Sequence, residues 1–194
     1  MRIVNVKRAI IILLMMVVIA GVSGCVRYPG EPGPEPGETD YQLQITVQVS
    51  GELNVSDGIY YIVLDANENP ADGPEDNVED WEDDFYYIEL KSDFFSFAQV
   101  EEGSPELQLT DSSYSGDKLE ITIALSDLGD PSSVDINVVT TDSDYNTYDY
   151  LDDGYFTINA KILGSIFSED ISGDSEDGGV DFDIIKVTAK ITIP

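Results

Sequence analysis

From residue 41 onward, apolar positions recur at every second residue. In YQLQITVQVS (41–50), Leu43, Ile45, Val47 and Val49 alternate with Gln42, Gln44, Thr46 and Gln48. That alternation predicts a strand with one face buried and the other wet. Comparable runs predict strands at 59–64 (IYYIVL), 85–90 (FYYIEL), 94–100, 119–125 (LEITIAL), 134–140 (VDINVVT), 155–162 and 182–193. In the last of these, Ile185, Val187, Ala189, Ile191 and Ile193 form the inward row. Turn residues separate the runs: Ser56-Asp57-Gly58, Gly116-Asp117, Gly129-Asp130-Pro131, Asp153-Gly154 and Gly178-Gly179. No stretch after residue 25 carries ten residues of helical periodicity, and Ser126-Asp127-Leu128-Gly129 has room for one turn at most. The expectation is an all-β domain over 41–194, an antiparallel β-sandwich of about eight strands.

The pattern before residue 41 is of another kind. A positive n-region with Arg2, Lys7 and Arg8 precedes the apolar run AIIILLMMVVIA (9–20), and Val22-Ser23-Gly24-Cys25 follows it. The apolar run is shorter than the ~20 residues a membrane span needs, which favours a cleaved leader over an anchor. These parts, in this order, resemble a prokaryotic lipoprotein signal with its lipobox. The resemblance implies that 1–24 is removed and that Cys25 becomes the lipidated N-terminus, tethering an exported domain to a membrane of the cell envelope. Residues 27–40 (RYPGEPGPEPGETD) interleave four prolines and three glycines with acidic residues. Such a segment is an extended spacer, at ~3.1 Å per residue in polyproline II form. The expected organisation is thus leader 1–24, lipidated cysteine and linker 25–40, and domain 41–194.

Charge narrows the choice of partners. All 39 acidic residues follow Cys25, against six basic ones, a net of −33 for the expected mature chain. A field of that sign repels phosphates and anionic headgroups, which argues against nucleic acid as a partner. Cys25 is the only cysteine, so the domain folds without an internal disulfide. The chain also has no histidine. Ser-His-Asp and Cys-His nucleophile systems therefore lack their base, and histidine-ligated zinc is excluded. No glycine-rich phosphate loop is present, so no nucleotide cofactor is expected. The expectation is a non-enzymatic protein. The alternative is a glycan-processing enzyme of the carboxylate-pair type.

Two further resemblances rest on short stretches. GIYYIVLDANENPADGP (58–74) is similar to a pattern of uncharacterised prokaryotic envelope lipoproteins, which implies no particular activity. LEITIALSDLG and VDINVVTTD, in that order, resemble the late strands of DOMON-type and family 9 carbohydrate-binding-module sandwiches. Haem-binding members of that group need axial His and Met. Here there is no histidine, and the methionines are Met1, Met15 and Met16 of the leader, so haem is not expected. Sugar-binding members imply an exposed aromatic platform, for which Trp81, the sole tryptophan, is the candidate.

Two sets of residues are candidates for a site. Between Asp65 and Asp84 lie ten acidic residues in twenty, with Asp65, Asn67, Asn69 and Asp72 placing oxygen donors directly after a strand. Dense hard oxygen ligands suit Ca²⁺. An EF-hand loop does not fit, since Pro70 stands where its glycine turn belongs and Asp76 at its twelfth position. Asp142, Asp144 and Asn146 repeat the D-x-D-x-N spacing, and 174–183 contains GGVDFD, a single imperfect echo of calcium-binding nonapeptide repeats. The second set is aromatic. Trp81, Tyr145, Tyr148 and Tyr150 are candidates to stack on a sugar or grip an envelope protein. In Tyr60-Tyr61 and Phe85-Tyr86-Tyr87, alternation predicts one core ring and an exposed neighbour. The resulting expectation is a surface-tethered binding or structural module of the envelope, with calcium as its stabilising ion.

Overall fold

The computed structural model describes residues 40–69, 73–101, 103–175 and 178–194. The leader, Cys25, the linker up to residue 39 and Asp72 lie outside the described residues. Twelve strands follow in order: β1 (Gln42–Val49), β2 (Ile59–Asp65), β3 (Tyr86–Lys91), β4 (Phe94–Gln99), β5 (Leu107–Gln108), β6 (Ser112–Ser115), β7 (Lys118–Ala124), β8 (Ser133–Thr141), β9 (Thr147–Tyr150), β10 (Phe156–Asn159), β11 (Gly164–Glu169) and β12 (Ile184–Thr192). Two single 3₁₀ turns, Val78–Asp80 and Leu125–Leu128, are the only helical pieces among the described residues. The second overlaps the one turn expected at 126–129.

The strands form two antiparallel sheets. One has the order β11-β12-β1-β7-β6. The other runs β10-β8-β2-β3-β4-β5, with β9 paired to β8 beside β10. Between the sheets lies the main core, built from alternate residues of both. β1 gives Leu43, Ile45, Val47 and Val49, β7 gives Leu119, Ile121 and Ile123, β2 gives Tyr60, Ile62 and Leu64, and β8 gives Val134, Ile136 and Val138. The all-β antiparallel sandwich expected from the alternation is the observed fold, with every one of the eight expected strands present in whole or in part.

The four additional strands, β5, β6, β9 and β11, are short, polar or exposed. Most of their residues have no face in the core, so no period of two marks them. The expected inward row of the last strand holds at Val187, Ala189 and Ile191, but Ile193 lies past the strand and is exposed, and the row is shifted at its start. Ile184 is buried and Ile185 half-buried, because the β1–β12 register slips between Gln48 and Val49. One extra residue in a strand moves the following side chains to the other face.

The seven-stranded sheet is covered on its outer face as well. Every residue of β2 is buried, and Ile59, Tyr61, Val63 and Val139 form a second cluster with Phe85 and Trp81. The cover is the segment 73–85, which runs across the sheet as a strap. Three side chains grip its carbonyls: Asn137 Nδ2 donates to Pro74 O (3.1 Å), Trp81 Nε1 to Glu75 O (2.9 Å) and Thr147 Oγ1 to Asp76 O (3.2 Å). Tyr60 and Tyr61 are therefore both core residues, on opposite faces. The expected exposed neighbour is absent because the strap hides it.

Candidate metal centre and the adjoining cleft

At one end of the sandwich, five aspartates from four chain segments converge. Asp149 comes from β9, Asp152 from the turn before β10, Asp170 from the end of β11, and Asp174 and Asp183 from the loop leading into β12. Carboxylate oxygens of Asp149, Asp174 and Asp183 lie within 4.8 Å of one another, and so do those of Asp152, Asp170 and Asp174. Asp174 is shared, so the two triads form one continuous oxygen cluster.

Local backbone geometry holds these side chains in place. Gly173 N–H donates to both carboxylate oxygens of Asp183 at 2.9 Å. Gly173 has φ of 92°, a left-handed conformation that glycine adopts without strain. Asp149 Oδ2 accepts from Ile184 N (2.6 Å), tying β9 to the start of β12. Asp170 Oδ1 accepts from Asp152 N (3.1 Å) and Ile171 N (3.0 Å), while its Oδ2 is buried and makes no hydrogen bond within the chain. Gly178 packs on the Tyr148 ring so closely that a Cβ would collide with it.

The electrostatics of the cluster are unbalanced. Asp183 is 1 % and Asp149 5 % exposed. Burial pushes Asp149 up to about 7 and Asp170 to about 6, with the Asp174 charge adding to both. Burial and the neighbouring Asp152 and Asp183 charges also raise Asp174. The one ion pair among the described residues, Lys186–Glu169, lies outside the five. Converging, partly desolvated carboxylates without a positive partner are the arrangement in which a hard cation replaces the missing charge. The acidic clusters of this domain thus have the donor set to hold a metal ion.

Asp152 also lines a cleft of about 360 Å³ between this end of the sheet and the strap. Tyr150, Tyr155 and Phe85 supply its rings, and Glu75, Asp76, Asp80 and Glu82 of the strap supply further carboxylates.

The residues singled out from the sequence fall in several places. Asp65 Oδ1 accepts from Asn67 N (2.7 Å), and Asn67 Oδ1 from Asn69 N (2.7 Å), so the first acidic loop is a chain of side-chain-capped turns. Asp142 Oδ1 accepts from Asp144 N (2.8 Å) and Asn146 N (2.9 Å), and its Oδ2 from Asn146 Nδ2 (2.7 Å). Asp142 and Asn146 therefore close the β8–β9 hairpin on itself, and Asp144 is exposed.

Among the aromatics, Tyr150 is exposed and lines the cleft. Tyr145 is exposed at the hairpin tip with φ of 67°. Tyr148 packs on Phe182 with ring centroids 4.9 Å apart. Trp81 requires a correction. It is only 8 % exposed, lies edge-on to Tyr61 at 5.3 Å and belongs to the outer-face core, so it offers no platform for a ligand.

Sequence reasoning missed Asp149, Asp152 and Asp170 and reached Asp174 and Asp183 only through the GGVDFD loop. The available signal was slight: an aspartate within the short run TYDY, of which Asp149 alone is buried.

No family model matches this chain, and comparison with curated proteins and with solved structures finds no match either.

Proposed function

We propose that this protein is a lipid-tethered envelope protein whose β-sandwich is a calcium-stabilised module for binding a glycan. The observation that carries the reading is the double membership of Asp152, which belongs both to the aspartate cluster and to the wall of the tyrosine-lined cleft. A Ca²⁺ ion takes six to eight oxygen ligands. Bound by the five aspartates, it would fix the turn before β10, the loop before β12 and, through Asp152, one side of the cleft. Tyr150 and Tyr155 offer faces on which sugar C–H groups stack, and the carboxylates accept from sugar hydroxyls. The tether follows from the lipobox residues Val22 to Cys25 and the Pro/Gly/Glu spacer behind them.

Two measurements test this reading. Calorimetry of the protein against envelope polysaccharides in Ca²⁺ should give binding that falls at least tenfold in Tyr150→Ala and on chelation with EDTA; a loss of about 1.4 kcal/mol corresponds to that factor. Equal affinity in Tyr150→Ala, or in EDTA, contradicts the glycan site. Separately, the cellular protein should begin at Cys25 and sediment with membranes, and Cys25→Ser should release it. Recovery of an intact, unlipidated chain starting at Met1 contradicts the tether.

A further inference from the structure

A second carboxylate site lies on the outer face of the seven-stranded sheet, apart from the five aspartates. Asp65 and Asp135 are cross-strand partners in the β2–β8 ladder. Their side chains share the outer face, since Tyr61 and Val63 of β2 and Val139 of β8 alternate in phase with them in the cluster under the strap. Directly opposed residues of an antiparallel pair hold their Cβ atoms about 5 Å apart. Both are deeply buried, Asp65 at 2 % and Asp135 at 9 % exposure. Asp65 Oδ2 and Asp135 Oδ1 each make no hydrogen bond within the chain.

Two adjacent, buried and unsatisfied carboxylates are costly unless something positive lies between them. No lysine or arginine side chain among the described residues bonds to either of them. Instead the surroundings add negative charge. Asn67 Nδ2 donates to Asp84 Oδ2 (3.3 Å), drawing Asp84 from the end of the strap toward the Asp65 turn. Burial pushes Asp65 up to about 6, and the Asp135, Asp84 and Glu82 charges reinforce the shift.

We infer that Asp65 and Asp135 are the two carboxylate ligands of a second divalent-cation site, which joins β2 to β8 on the face that the strap covers. The ligand set differs from a loop site built on Asp65, Asn67 and Asn69. The Asn67 carboxamide is engaged by Asn69 N and by Asp84, and the decisive donor comes from β8, 70 residues away in sequence. A cation here joins β2 to β8 beside the cluster of Tyr61, Phe85 and Trp81. Such an ion is hard, oxygen-ligated and divalent, of the Ca²⁺ class.

The test is direct ⁴⁵Ca²⁺ binding to the full-length protein in detergent at fixed ionic strength, which holds non-specific counterion accumulation constant. Asp135→Asn and Asp65→Asn should each remove one bound Ca²⁺ per chain or weaken one class of site at least tenfold, and should do so equally in an Asp174→Asn background. Asparagine matches aspartate in size and at position 65 retains the acceptor for Asn67 N, so both variants keep the local turn. Trp81, the only tryptophan, reports on the strap: its fluorescence should respond to Ca²⁺ in wild type and in Asp174→Asn but not in Asp135→Asn. Unchanged stoichiometry and affinity in both Asp135→Asn and Asp65→Asn overturn the proposal. If Asp174→Asn alone proves without effect, the five-aspartate site fails while this one stands.

Discussion

Trp81 shows how far a single residue's role depends on what covers it. Its neighbours Glu79, Asp80, Glu82 and Asp83 are exposed, yet its ring fills the space between Tyr61 and Tyr87. Trp81→Ala should therefore cost about 3–5 kcal/mol in urea unfolding, as for a buried ring. Ile45→Ala should cost about 2–5 kcal/mol. Gln44→Ala, one residue away on the wet face, should stay within ~0.5 kcal/mol. Equal losses at 44 and 45 would contradict the register of β1.

Asp149 makes a prediction of opposite character. Its carboxyl rises in the fold from the ordinary 3.8 to about 7. Between those values the folded chain holds a proton that the unfolded chain has released, so stability is full below about 4 and is lost as pH rises toward 7. In EDTA, the wild type should lose stability across that window more steeply than Asp149→Asn, measured by urea midpoints at several pH values. Identical slopes would show that Asp149 does not carry this linkage.

At the scale of elements, the strands that bury one face were legible and the others were not. β1 and β7 alternate cleanly because one face meets the core and the other meets water. β2 reads as a continuous apolar run because it is buried on both faces, and no local pattern announces the strap that buries the second. The edge strands β5, β6 and β11 present mostly exposed side chains, and hydrogen bonding to a neighbour leaves no mark in composition.

The metal-competent cluster was illegible for a related reason. Loop readings favour ligands close in sequence, whereas these five arrive from positions 149 to 183 by way of the β10–β11 excursion. Hydrogen exchange should follow the same division, with amides of β1, β2 and β8 slowest and those of β5 and β11 fastest. Slow exchange in β11 would mean that its exposed edge is covered.

For the whole molecule, the dominant fact is a surplus of 33 negative charges on the chain after residue 24. Their self-repulsion opposes the compact state, and any salt relieves it as screening shortens to ~8 Å at physiological strength. Stabilisation by sodium chloride therefore carries no information about sites. A cation held by specific oxygens acts differently, binding the folded state alone and stabilising it by about 2.7 kcal/mol at a hundredfold excess over its dissociation constant. For a domain of this size that amounts to roughly 5–10 °C in melting temperature.

The most direct test of a cation-organised domain is thus thermal melting in Ca²⁺ against sodium chloride of equal ionic strength, for wild type and for Asp174→Asn. The account predicts a shift of about that size in wild type, with Asp174→Asn losing a substantial part of it because both triads share that carboxylate. Coincident wild-type curves in the two salts, or an undiminished shift in Asp174→Asn, would contradict it.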